Sequence, residues 1–232
     1  LPPHVARLGI LLALLLLHSC LHAQLSVRIV PTYAGAPLLR EAPYALPAGD
    51  SVRIQTFRCY IVGLQAWAGD KPLGAPSPPQ LLDLDNPASL GLTLPIPASA
   101  RPDALSFQLG IDSLTNVSGA LGGDLDPTLG MYWAWQSGYI NVKLEGSSPL
   151  CPTRHHAFQF HLGGYLAPHG AVQVIRLPLP DDAAGRKELV IGLAVDRFLA
   201  DLDLRSMHTV MRPCAEAAGL SQRLATLFTL LE

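Results

Sequence analysis

The stretch "GYINVKLEG" (138–146) decides the fold class. Ile140, Val142 and Leu144 alternate with Asn141, Lys143 and Glu145, so an extended chain here has one apolar and one polar face. Working outward, the same period of two recurs. "LSVRIVP" (25–31) alternates through Val27 and Ile29, and "ALSFQLGID" (104–112) through Leu105, Phe107, Leu109 and Ile111. "AFQFHLGGY" (157–165), "AVQVIRLPL" (171–179) and "KELVIGLAVD" (187–196) complete the series, and "RIQTFRCYIVGLQAW" (53–67) reads as an apolar strand. Gly, Pro, Asn and Asp bound these runs, as turns between strands require.

With 21 prolines and 20 glycines, long helices have little room. The segment 72–102 reads as a proline-rich connection. Only "DRFLADLD" (196–203) and "AEAAGLSQRLATLFTLLE" (215–232) look helical, the second because Leu220, Leu224, Phe228 and Leu231 recur every three or four residues. The expectation is an all-β chain, a β-sandwich with short peripheral helices, folded as one domain over residues 24–232.

A chain of 232 residues, 49% hydrophobic and 15% charged, can bury one sizeable core. Its net charge of -2, with 16 basic and 18 acidic residues and no basic face, excludes a nucleic-acid partner. At the N-terminus, Arg7 precedes the apolar run Leu8–Leu17, and Leu21-His22-Ala23 supplies small-residue cleavage chemistry. Residues 1–23 thus read as a secretory signal peptide, too short in its apolar run to span a bilayer. Leu17-His18-Ser19-Cys20 loosely resembles a lipobox, which leaves an outer-membrane lipoprotein, lipidated at Cys20, as the second reading. In either case the mature protein is exported, with a periplasmic location expected and no transmembrane helix.

Removing the signal leaves Cys59, Cys151 and Cys214, an odd number. Cys59 lies in an apolar run and reads as a small buried hydrophobe. Cys151 and Cys214 sit in loop-like, proline-adjacent positions where an oxidising compartment would permit a disulfide.

Five histidines remain: His155, His156, His161, His169 and His208. His161 ends an alternating strand just before Gly163-Gly164, at the edge where loops gather. His208 stands between Met207 and Met211, and imidazole with thioether suits copper better than magnesium or calcium. Adjacent His155 and His156 face opposite sides of an extended chain and do not readily share an ion. No HExxH, paired CxxC, GxSxG, Walker or dinucleotide motif occurs, so no enzyme is indicated. Asp124 and Asp126 in "GALGGDLDPTLG" lack the remaining ligands of an EF-hand and read as turn residues.

Aromatic residues crowd "GMYWAWQSGYINVKLEG" (130–146). In an extended chain Trp133 and Trp135 share one face and Tyr132 takes the other, and two indoles on one face ordinarily pack against a core or its rim.

The segments 110–146, "FQFHLGGY" (158–165) and "HTVM" (208–211) resemble the MbnP-like family of periplasmic copper-binding proteins associated with methanobactin genes. The resemblance implies a β-sandwich, export, copper as the bound ion, and a dihaem cytochrome c peroxidase-like partner, with an outer-membrane metal transporter as another. It implies His161 and His208 as metal ligands and Met131 and His169 as further candidates. It also implies that Trp133 or Trp135 is oxidised to kynurenine, or serves as a redox relay with Tyr132 and Tyr139. An indole N–H is a donor only, and ring opening would turn a packing residue into a ligand. The chain reads "HLGGYLAPHG" where copper members carry a Cys after the motif His, and His169 occupies that loop. The expected function is copper acquisition or trafficking without catalysis. The alternative is a metal-free module that docks a redox protein or ligand through its Trp-rich stretch.

Overall fold

The computed structural model describes residues 22–231, Ala48 and Ser137 excepted. The expected signal peptide and Cys20 therefore lie outside the described residues, apart from His22 and Ala23, which stand in the first strand. No described helix is long and apolar enough to cross a membrane.

In chain order the strands are β1 (His22–Tyr33), β2 (Ala36–Pro37), β3 (Pro43–Ala45), β4 (Ser51–Ala68), β5 (Lys71–Leu73), β6 (Gln80–Asp83), β7 (Gly91–Pro97), β8 (Ala104–Leu109), β9 (Tyr132–Trp133), β10 (Gly138–Ser147), β11 (Ala157–Gly163), β12 (Gln173–Pro178), β13 (Glu188–Ala194), β14 (Thr209–Val210) and β15 (Phe228–Leu231). The α-helices are α1 (Ser113–Val117), α2 (Val195–Ala200) and α3 (Ala215–Ala225).

Two sheets form. The smaller runs β15-β13-β1-β2, with β7 also beside β1, and the larger runs β12-β8-β4-β10-β11-β14, with β3, β5 and β6 on β4 and β9 on β10. Most pairs are antiparallel, whereas β1–β13 and β11–β14 are parallel. Alternation sends Val27 and Ile29 of β1, Leu189 and Ile191 of β13, Phe57 and Cys59 of β4, and Phe158 and Phe160 of β11 into one shared core. This is the expected sandwich. In the stretch 138–146, Val142 and Leu144 enter that core and Lys143 and Glu145 take the outer face, as the pattern requires, whereas Ile140, beyond an irregularity in the pairing at Asn141, packs in a separate cluster on the outer face.

Two segments differ from the sequence reading. Strands β6 and β7 form inside the proline-rich segment, where Leu92, Leu94 and Ile96 are buried and Pro95 and Pro97 lie on the exposed side of an edge strand that needs no further ladder donors. The C-terminal stretch is helical only to Ala225. Arg223 and Leu224 carbonyls close the helix at Thr226, and β15 then pairs with β13 while Phe228 meets Phe107 edge-on. Helix α2 occupies the first part of its expected span. Helix α1 escapes the sequence reading because its five residues are too few to show a period; Asp112 caps it by accepting from the Thr115 N–H.

A second cluster lies on the outer face of the larger sheet, beneath the connection that carries α1 and β9. Tyr60, Ile111, Leu125, Met131, Trp133, Tyr139 and Ile140 pack there. Polar groups tie the connection down. Asn116 donates to the Ile111 carbonyl and accepts from the Tyr139 N–H, Asn141 accepts from the Ile111 N–H, and the Tyr139 hydroxyl donates to the Leu125 carbonyl. Asp124 accepts from the Leu81 N–H of β6 and so pins the connection to the sheet, whereas Asp126 accepts from the Thr128 N–H within its own turn.

The three described cysteines are free thiols. The expected Cys151–Cys214 disulfide is not formed: Cys151 is sealed in the core, whereas Cys214 caps α3, its Sγ accepting from the Ala217 N–H at 3.5 Å. Cys59 is fully buried, as expected, and desolvation pushes its thiol up to about 12.

Candidate metal centre

Strand β11 organises the site. Phe158, Phe160 and Leu162 point into the core, which sends Gln159, His161 and Gly163 to the outer face. Register places His161 opposite Lys143 and Gln159 opposite Glu145 on β10. A register shift between Ile140 and Val142 leaves Asn141 as an extra residue there, a bulge beside the site.

His161 is nearly buried, and its Nε2 lies 2.7 Å from Glu145 Oε1. Lys143 Nζ is 3.8 Å from the same oxygen, and Gln159 Nε2 reaches it at 3.5 Å. The hydrogen bond from His161, aided by Lys143, outweighs burial and holds the Glu145 carboxyl down at about 2.

Two residues along the same face, the Trp133 ring covers Gly163. A Cβ at Gly163 would stand 2.7 Å from Trp133 Cζ3 and 2.8 Å from the Tyr139 carbonyl oxygen, so glycine is what admits the indole. Trp133 is 5% exposed and Trp135 67%. The two do not share one extended face, because β9 ends at Trp133 and a turn follows, with the Gln136 N–H donating to the Trp133 carbonyl. Their rings nevertheless lie 5.9 Å apart, tilted by 47°. Beyond them Tyr132, Tyr139 and Tyr60 continue as edge-on neighbours at 5.0 and 5.8 Å.

Trp135 forms one wall of a cleft of about 620 Å³ whose lining includes Met207, Thr209, Met211, Cys214 and Glu216. The parallel pairing of Gln159 with Thr209 and Phe160 with Val210 brings this segment alongside β11, and Met211 follows directly on the cleft wall. Strand alternation turns His208 the other way; its carbonyl accepts from the Gln159 N–H, and its Nδ1 is buried without a partner. The structure thus sets His161 and Trp133 on one sheet face, puts Trp135 and Met211 in the cleft beside it, and places His208 behind the edge strand.

The remaining candidates are dispersed. Met131 is fully buried in the aromatic cluster, its carbonyl accepting from the Ile140 N–H. His169 lines a smaller neighbouring cleft of about 230 Å³ with Gln136, Tyr165 and Pro213. His155 and His156 are exposed, the latter with Nδ1 at 3.1 Å from the Cys151 carbonyl. Among the described residues, no three His, Cys, Asp or Glu side chains converge to hold a metal ion. A metal held at His161 therefore needs a donor of another kind, which an intact indole, with only its N–H to offer, cannot be. Two features of this neighbourhood escaped the sequence reading. Glu145 looked like an ordinary polar strand residue, and Gly163 looked like a turn.

The MbnP family model matches residues 22–212, which include every residue of the His161 and Trp133 neighbourhood. No curated protein matches the chain. Among solved structures, MbnP from Methylosinus trichosporium aligns with a TM-score of 0.59 over 78% of this chain and 80% of that one, at 19% identity, a likeness of fold. With most of its length matched by the family model and its sandwich reproduced in that structure, the chain belongs to the MbnP family.

Proposed function

We propose that this chain is an exported, methanobactin-associated protein that binds copper as cargo in acquisition or trafficking, without catalysing a reaction. The observation that supports the reading is a nearly buried imidazole, His161, on the sheet face that Trp133 covers two positions along, with Trp135 beside that ring and sharing a cleft with Met211. His161 offers one ring nitrogen to the ion. His208, set behind the edge strand, does not share that face with His161, and its unpartnered Nδ1 is a separate buried polar atom that a ligand would satisfy. Met211 adds a soft donor suited to cuprous copper.

Oxidation of Trp133 or Trp135 to kynurenine supplies the further donor. Two waters supply the two oxygens added across the cleaved C2–C3 bond of the indole, four electrons and four protons leave, a dihaem peroxidase-like partner passes the electrons to peroxide, and a third water hydrolyses the formyl group off as formate. Trp135 is the exposed ring that such a partner can touch, with Trp133 next in line. Its exposure also favours the second reading, a metal-free docking module, since exposed tryptophan is enriched at interfaces.

Native and peptide-level mass spectrometry of protein from its own host tests both readings. Bound copper together with a kynurenine mass shift in the 133–135 peptide supports the first. The double variant His161→Ala/His208→Ala is expected to abolish tight copper binding, and native stoichiometry in that variant would overturn the assignment. Metal-free protein with intact tryptophans, and loss of partner association in Trp135→Ala, would establish the docking module instead.

A further inference from the structure

We infer that Glu145 is a positioning residue that fixes the ring orientation and tautomer of His161, so that Nδ1 is the nitrogen presented to the metal. The inference rests on the reading of His161 as a copper ligand.

The geometry selects the nitrogen. An ionised carboxylate only accepts hydrogen bonds, so the 2.7 Å contact requires the proton of a neutral His161 ring to sit on Nε2. Among the described residues Nδ1 makes no hydrogen bond, and it is not one of the sealed, unpartnered atoms, a class that does include His208 Nδ1. Its lone pair is available.

The carboxylate is itself held. Lys143 shares its strand and outer face, Gln159 faces it across the β10–β11 ladder, and both reach the oxygen that His161 uses. Lys143 also reaches the Gly130 carbonyl at 3.4 Å, which links the carboxylate to the base of the tryptophan turn. An imidazole clamped at Nε2 by a fixed carboxylate cannot flip or exchange its proton between nitrogens without breaking that bond. Carboxylate partners of metal-binding histidines work in this way and also raise ligand basicity.

A surface ion pair of merely structural use would predict differently. It would leave copper affinity unchanged when removed, and it would be indifferent to which nitrogen carries the proton.

Two measurements on the full mature chain separate the cases. Long-range proton–nitrogen NMR of the apo protein above the histidine titration range should show His161 as the Nε2–H tautomer, with the preference lost in Glu145→Ala. Competition with a copper chelator should show affinity weakened about 10–100-fold in Glu145→Ala. Glu145→Gln, which keeps an acceptor oxygen, should recover part of that loss. An Nδ1–H tautomer in the wild type, or a folded Glu145→Ala that binds copper as tightly as the wild type while His161→Ala does not, would overturn the inference and leave the copper reading standing. A wild-type protein that takes up no copper removes both.

Discussion

The two faces of the larger sheet use the same strands for opposite purposes. On the inner face Phe57, Phe107, Phe158 and Phe160 pack against the smaller sheet in a core without charge. On the outer face the alternate positions hold Arg58, Lys143, Glu145 and His161, and a layer of tyrosine and tryptophan closes over one end. Burial alone organises the first, because apolar contacts are non-directional. The second needs particular partners: Asn116 and Asn141 satisfy buried backbone groups, and one glycine makes room for one indole. The inner face therefore supplies most of the burial, and the outer face the specific polar contacts.

The largest separation of the two should come from Phe107→Ala. Phe107 is buried, with its ring 5.2 Å from Phe228, and truncation should lower unfolding free energy by about 3–5 kcal/mol in denaturant titration. Copper stoichiometry of the folded fraction should not change; a loss would mean that the faces are not independent. Gly163→Ala reverses the emphasis. The added methyl meets Trp133 and the Tyr139 carbonyl, so stability should fall by about 1–3 kcal/mol. Tryptophan fluorescence should shift to the red and copper affinity should drop.

The smallest effect is on acid stability. Glu145 sits at about 2 in the folded chain against an ordinary value of 4.5, so its contribution is complete above pH 4.5 and is lost as pH falls towards 2. Solvent screening of this partly exposed group limits that contribution to about 1 kcal/mol. Glu145→Gln should flatten this part of the stability profile, and an unchanged acid slope would show that the pair stabilises nothing.

The inner face was legible because period-two alternation is a local signal: Val142 and Leu144 announce a strand without help from the rest of the chain, whereas the irregularity that sends Ile140 to the outer cluster shows only in the register of β10 with β11. The strand at 228–231 was not, since Leu220, Leu224, Phe228 and Leu231 keep a helical spacing through the break at Thr226. Its true partner, β13, lies far away in sequence. For the same reason the site was only partly visible. Individual residues such as His161, Trp133 and Trp135 could be named from motif and resemblance, whereas the pairing of His161 with Glu145 depends on the register of β10 with β11. The outward turn of Trp135 depends on where β9 stops, and the separation of His208 from His161 on the parity of a two-residue strand.

The parallel pairing of β1 with β13 joins the start of the described chain almost to its end, with Thr32 donating to the Leu193 carbonyl across 161 positions. As the chain emerges from its N-terminus, β1 has antiparallel company from β2 and β7, but its other edge stays open until nearly everything else has appeared. Folding of the small sheet is therefore a late, high-contact-order event. Until then β1 presents a bare strand edge, which a partly folded chain exposes to pairing with other chains.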